Sequence, residues 1–305
     1  MMSYRVISRY KFYVTAARLP FITASILPAL IAIIWGLTRG APFYSTHAFL
    51  AISALVALHI GANTTNDFFD WDRSDKINRY TTPFSGGSRA RVENILSKKV
   101  FHYMAIASFT LSCALGIWLT LMDRPLVLML GISGGLLAIL YSATPLELQS
   151  RGLGETAIFL AFGPLITLGI GYASFGFLSL EFFYVGIPNG LAVANILLIN
   201  EFPDFEADQK SGKRNLVVRL GTSKARYAYI MLFVLFYLSV AALLYTKIYP
   251  LSSLVILLSL PLAAKAALKL WKNHANPNQT VSAQRATIQF QVLTAILVLL
   301  SLVVP

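Results

Sequence analysis

The sequence predicts an all-α membrane protein, a polytopic bundle of about nine transmembrane helices with its N-terminus cytoplasmic. Three observations carry that prediction. The chain of 305 residues is 56% hydrophobic and only 12% charged, about half the charged share of an ordinary soluble domain, and its mean hydropathy is +0.66. Apolar stretches of about 20 residues, the length that crosses a hydrocarbon core, recur along it. No stretch alternates apolar and polar residues as a barrel strand does, and helices then remain the way to satisfy backbone polar groups in lipid.

The spans fall at roughly 19–37, 47–66, 101–121, 126–143, 155–175, 181–200, 227–245, 250–270 and 287–304, and residues 1–305 are read as a single transmembrane domain. The first stretch is too long for a cleavable signal peptide and lacks a small-residue cleavage site. Threaded alternately, the spans put 22 of the 25 Lys and Arg on the N-terminal side, leaving Arg39, Arg124 and Lys247 on the other. The positive-inside rule then places the N-terminus in the cytoplasm of a cell inner or plasma membrane. The net charge of +12 is therefore topological first, with anionic membrane lipid or a phosphate substrate second. No nucleic-acid partner is expected. Cys113 is the only cysteine, so no intramolecular disulfide forms. Gly131, Gly134, Gly135, Gly163, Gly169 and Gly171 are read as allowing close helix approach. Segment 271–286 reads as a solvated connector.

Chemistry concentrates at two places. Of the 13 acidic residues, eight lie in Asn63–Asp75 and Asn200–Asp208, both at the cytoplasmic ends of spans. Carboxylates beside a bilayer are costly and mark functional sites by default. If the second span continues helically to Asp70, then Asn63, Asn66, Asp67 and Asp70 share one face. Carboxylate and amide oxygens together are the hard-ligand set that Mg²⁺ prefers. Ion pairing with Arg73, Lys76 and Arg79 is the alternative, but four carboxylates within nine residues repel one another unless cations neutralise them. His59, one turn earlier, is read as a packing histidine; Asp72 and Asp75 lie beyond the shared face. The turn Pro83–Arg89 follows, where Gly86 and Gly87 allow close backbone approach and Arg89 offers charge to an anion.

In the second cluster Asn200, Asp204 and Asp208 are spaced i, i+4, i+8, again one face, with Pro203 set to kink the helix. Lys210, Lys213 and Arg214 follow directly. Acids followed by bases suit a metal–diphosphate complex, the carboxylates gripping cations and the bases neutralising phosphate oxygens. Between spans four and five, Arg151 is expected to pair with Glu147 or Glu155, each four residues away.

Asn66-Asp-x-x-Asp70, Asp204-x-x-x-Asp208 and the nine spans together resemble the UbiA superfamily of intramembrane prenyltransferases, over essentially the whole chain. Asp204-x-x-x-Asp208-x-x-x-Gly212-Lys-Arg-Asn-Leu216 and Tyr141…Pro145…Arg151-Gly-Leu-Gly-Glu155 are similar to the branch that prenylates 1,4-dihydroxy-2-naphthoate in menaquinone synthesis. The chain departs from that branch at Trp71–Asp75, where K-x-G-x-D is common, and at Asn200-Glu-Phe-Pro-Asp204, where N-N-x-R-D is. The resemblance implies Mg²⁺ bridging Asp67, Asp70, Asp204 and Asp208 to a polyprenyl diphosphate. It makes Asn63, Asn66, Arg73, Lys76, Arg89, Tyr141, Asn200, Lys210, Lys213 and Arg214 candidates for substrate binding. It implies attack by an aromatic acceptor on the prenyl C1, with loss of CO₂ when that acceptor is dihydroxynaphthoate. The superfamily's other acceptors include homogentisate, chlorophyllide, haem and glycerol ethers. A secondary transporter is the rival class, but transporters place their ion sites at the bilayer centre.

Overall fold

Long apolar runs punctuated by Pro, Gly and short polar turns fold as helices throughout the computed structural model, which describes Val14, residues 16–87 and residues 96–304. Nine long helices are formed among the described residues: α1 Thr23–Thr38, α2 Ser45–Asp70, α3 Lys98–Leu121, α4 Pro125–Ser142, α5 Gly154–Phe175, α6 Leu180–Lys210, α7 Thr222–Tyr245, α8 Leu251–Asn273 and α9 Pro277–Val303. All but α1 are long and apolar enough to cross a membrane. The 16 residues of α1 rise about 24 Å, and the turn Leu19–Phe21 precedes it.

Three helices differ from the sequence reading for identifiable reasons. Residues 277–286 are not a connector but the first turns of α9, started by Pro277 in a first-turn position. Asn278, Gln279 and Arg285 stay exposed, but Thr280 and Gln284 belong to a buried stripe with Thr287, Gln291, Thr294 and Ser301, whose heptad-like spacing faces the bundle. Within α5, Ala161–Leu165 forms a π-helical turn around Pro164, which lacks an N–H and cannot continue an ordinary ladder. The Phe162 carbonyl takes a bond from Asn189 Nδ2 at 2.7 Å, and Gln291 donates to Asn189 Oδ1 at 2.9 Å. A backbone acceptor in an apolar region is thereby satisfied by a neighbouring helix. In α6 the helix breaks at Gly186 and then runs unbroken from Ile187 through Pro203 to Lys210.

Packing is uneven, and that unevenness makes the site. A continuous core joins α1, α6, α7 and α9 through Trp35, Phe182, Phe202, Tyr229, Phe236 and Phe290. Gly163 and Gly171 behave as the sequence predicts. A Cβ at Gly163 would lie 2.7 Å from the Gly190 Cα, and one at Gly171 would enter the Phe182 ring. By contrast, Ser142 is the one buried residue of α4. Gly131 and Gly169 face open space, with nothing within 4 Å of a built Cβ. For these two the expectation of close helix approach fails. Away from Asp70, Arg39 donates to the Lys247 and Ile248 carbonyls, and Arg124 to the Ala173 carbonyl and Asp123. These are the three bases that the charge pattern separates from the rest.

Candidate active site

Both acidic segments are helical, which is what aligns their oxygens. α2 continues to Asp70, so Asn63, Asn66, Asp67 and Asp70 come round on successive turns as the spacing requires. α6 likewise carries Asn200, Asp204 and Asp208 to within a turn of its end. The two ends converge over a cavity of about 760 Å³, whose polar head includes Asn63, Asn66, Asp70, Asn200, Asp204 and Asp208.

Each motif carboxylate is held by a cation or an amide of the protein. Arg18 Nη2 lies 2.9 Å from Asp67 Oδ1 and 3.2 Å from Asn66 Oδ1. Lys213 Nζ lies 2.8 Å from Asp70 Oδ2 and 3.6 Å from Asp208 Oδ1, joining the two clusters. Asn78 donates to Asp204 at 2.7 Å, and Asn215 to Asp208 at 2.8 Å. Asn66 Nδ2 is shared among Asp70, Ser142 and Gln149 at 3.0 to 3.1 Å. The arrangement is a buried network of carboxylates and bases in which neither set is left uncompensated.

The electrostatics outside the spans follow from this. Burial alone would lower the Lys213 value, but the Asp70 and Asp208 carboxylates outweigh it and hold the ammonium above the ordinary lysine value. Arg18 is likewise held charged against burial by Asp67. Asp75 is pushed up to about 8, first by burial and next by the Asp67 and Asp70 carboxylates.

Among the described residues no three His, Cys, Asp or Glu side chains stand grouped as a ready-made metal centre. Lys213 lies between Asp70 and Asp208, and Arg18 and Asn78 occupy Asp67 and Asp204. The donor set nevertheless fits a hard divalent cation: Asp70, Asp204, Asp208, Asn63, Asn66 and Asn200 offer carboxylate and amide oxygens at the polar head.

The sequence-derived candidates divide. Asn63, Asn66, Tyr141, Asn200 and Lys213 line the cavity together with three of the four motif aspartates. Asp67 lies behind them, 1% exposed, on Arg18. Arg73 instead pairs with Glu147 at 2.7 Å, outside the cavity lining. Lys76, Lys210 and Arg214 also lie outside it, Lys210 facing Glu206 at 3.7 Å on the helix surface. Arg89 falls outside the described residues. The expected pairing of Arg151 does not form: Arg73 takes Glu147, and Arg151 donates to the Leu146 and Pro145 carbonyls.

The sequence reading set Asp75 beyond the shared face and missed Arg18, Asn78, Gln149 and Asn215; all five line the cavity. Arg18 precedes the first span and reads there as a topological charge; in the structure its backbone is left-handed, φ 48°, and its guanidinium meets Asp67. Asp75 and Asn78 follow the helix end, and the short helix Ser74–Ile77 folds them back over the site. His59 is 5% exposed, with Ser25 Oγ 2.8 Å from Nδ1 and Phe162 edge-on, and it also lines the cavity.

Comparison with known proteins bears on the family and the fold. The 1,4-dihydroxy-2-naphthoate octaprenyltransferase of Mycobacterium leprae is 31% identical over 61% of this chain and 62% of its own length. The Mycobacterium tuberculosis protein of the same name is 31% identical, with 61% of its length covered. The chain thus spans about three fifths of these mycobacterial relatives. A 2-carboxy-1,4-naphthoquinone phytyltransferase from Synechocystis is 26% identical over 88% of this chain and 85% of its own. Among solved structures, the apo UbiA homolog from Aeropyrum pernix K1 superposes with a TM-score of 0.65 at 19% identity, covering 88% of this chain and 98% of that one. A UbiA homolog from Archaeoglobus fulgidus bound to GPP and Mg²⁺ gives 0.61 at 16% identity, covering 94% and 99%. These structures share the fold. The UbiA prenyltransferase family matches residues 25–293, and the chain belongs to that family.

Proposed function

We propose that the protein transfers a polyprenyl group from a polyprenyl diphosphate to an aromatic acceptor, with Mg²⁺ as cofactor and 1,4-dihydroxy-2-naphthoate as acceptor. One observation carries this reading: a head of carboxylates, with the buried Lys213 and the half-buried Arg18, opens directly onto an apolar cavity. That pairing of polarities matches a diphosphate carrying a hydrocarbon tail. The acceptor follows from the naphthoate-prenylating names of the mycobacterial relatives and from the Arg151-Gly-Leu-Gly-Glu155 and Gly212-Lys-Arg elements. The GPP- and Mg²⁺-bound homolog supports the donor and the metal.

Asp67, Asp70, Asp204 and Asp208 would hold the metal, which when bound draws charge out of the diphosphate and improves it as a leaving group. The chain's own residues do the rest. Lys213, charged despite burial, and the half-buried Arg18 neutralise phosphate oxygens as the C1–O bond breaks. Asn63, Asn66 and Asn200 orient the polar head within the cavity. The apolar walls exclude water from the allylic cation, and the Tyr141 ring lines the space in which it forms. A ring carbon of the acceptor bonds to C1 while the carboxylate on that carbon leaves as CO₂, restoring aromaticity. The excess of Lys and Arg on one side supports a cytoplasmic position for this head.

Replacing Asp67, Asp70, Asp204 and Asp208 singly by Asn tests the assignment. Each variant is expected to lose at least about a hundredfold in kcat while remaining folded. Full turnover in all four would overturn the metal assignment.

A further inference from the structure

The cavity is far deeper than a diphosphate needs. Its lining runs along α2 from Asp70 to Ala51, a rise of about 28 Å, close to the roughly 30 Å of a hydrocarbon core. Along α4 it runs from Tyr141 to Val127, about 21 Å. Close-packed interiors leave few voids larger than a water molecule, so about 760 Å³ of mostly apolar space is a built feature.

Glycines clear this channel. A helical glycine costs about 1 kcal/mol relative to alanine, and in membranes that cost is usually offset by close helix contact. Gly163 and Gly190 have such contact, since added Cβ atoms would meet backbone. Gly131 on α4 and Gly169 on α5 have none: a Cβ at either meets nothing within 4 Å. Gly116 on α3 has only Leu128 Cδ1, at 4.0 Å. All three line the cavity, on three different helices. Their missing side chains hold no helices together; they leave room for something else.

We infer that Gly131 and Gly169 are length-determining positions, keeping open a transbilayer channel that selects a long polyprenyl donor, geranylgeranyl or longer, over a short one. The inference rests on the donor reading above. The competing occupant, a bilayer acyl chain, would fill the same space without any dependence on donor length.

The test uses the full chain in detergent with Mg²⁺ and dihydroxynaphthoate, comparing geranyl with geranylgeranyl diphosphate. Gly131→Phe and Gly169→Phe are each expected to lower kcat/KM for the longer donor at least about tenfold and to leave the shorter within about twofold. Met129→Phe, on the outward side of α4 and 57% exposed, should change neither. Equal losses with both donors, or no loss with the longer, would overturn the assignment.

Cys113, the single cysteine, lines the same channel and reports occupancy without turnover. Geranylgeranyl diphosphate should protect it from N-ethylmaleimide where geranyl diphosphate does not, and Gly131→Phe should abolish that protection. Protection by both donors alike, or by neither, would count against the channel. A protein that prenylates nothing would sink the transferase reading, while the labelling result still decides the channel.

Discussion

Lys213 Nζ lies 2.8 Å from Asp70 Oδ2, joining residues 143 positions apart in the chain. It also reaches Asp208 at 3.6 Å, so one ammonium bridges the carboxylates of α2 and α6. With no cation in that position, two buried carboxylates would face each other uncompensated. Lys213→Met should therefore destabilise the metal-free protein by about 3–5 kcal/mol. Added Mg²⁺ should recover part of the loss, read as a larger rise in melting temperature than the wild type shows. A melting temperature equal to wild type without metal would refute the bridging role.

Arg18 makes a more exposed contribution to the same head. Its guanidinium meets both Asn66 and Asp67 from outside the helices. Arg18→Ala should raise KM for the diphosphate about tenfold or more, in line with the loss of one charge-assisted contact worth about 1.5–3 kcal/mol. Arg18→Lys should recover only part of it, because Nη2 alone makes both present contacts and leaves the rest of the planar fork for the diphosphate, a second donor that an ammonium lacks.

Asp75 gives the metal-free protein a pH dependence of definite sign. Burial and the neighbouring aspartates raise it from 3.8 to about 8 in the folded state. Between those values the folded chain binds more protons than the unfolded one. The stability from this group is thus present in full below the lower value and lost as pH rises through the upper. Thermal melts across that range should fall with pH, and Asp75→Asn should flatten the slope. An unchanged slope in the variant would assign it elsewhere.

Gly163 and Gly131 differ in what surrounds them. A Cβ at Gly163 would strike the backbone of Gly186 and Gly190, whereas one at Gly131 meets open space. Gly163→Ala should destabilise by about 1–3 kcal/mol through overpacking, and Gly131→Ala should not. Melting both variants side by side decides it.

How much of this was legible in the sequence depends on range. Helices α2 and α6, and the sharing of a face by Asn66, Asp67 and Asp70, follow from period alone, because the helical repeat fixes which side chains align. The two aspartate motifs stand out because acids are scarce in an apolar chain. Partners chosen by tertiary structure were not legible. Arg73 meets Glu147 across 74 positions, whereas the four-residue spacing pointed to Arg151. Arg18 looked like a topological charge because nothing local marks a left-handed residue before Pro20. Residues 277–286 looked solvated because polar side chains were weighed by composition; Asn278, Gln279 and Arg285 are exposed, and the burial of Thr280 and Gln284 shows only when α6 packs against α9. For the same reason Gly131 and Gly163 cannot be told apart without the neighbouring helix.

The most direct test of the central claim is mass analysis of the product. Purified protein would be incubated with Mg²⁺, a polyprenyl diphosphate and 1,4-dihydroxy-2-naphthoate, with and without EDTA. The account predicts a prenylated, decarboxylated quinol that disappears when the metal is chelated. Undiminished product in EDTA, or no metal-dependent product with any aromatic acceptor, would contradict it.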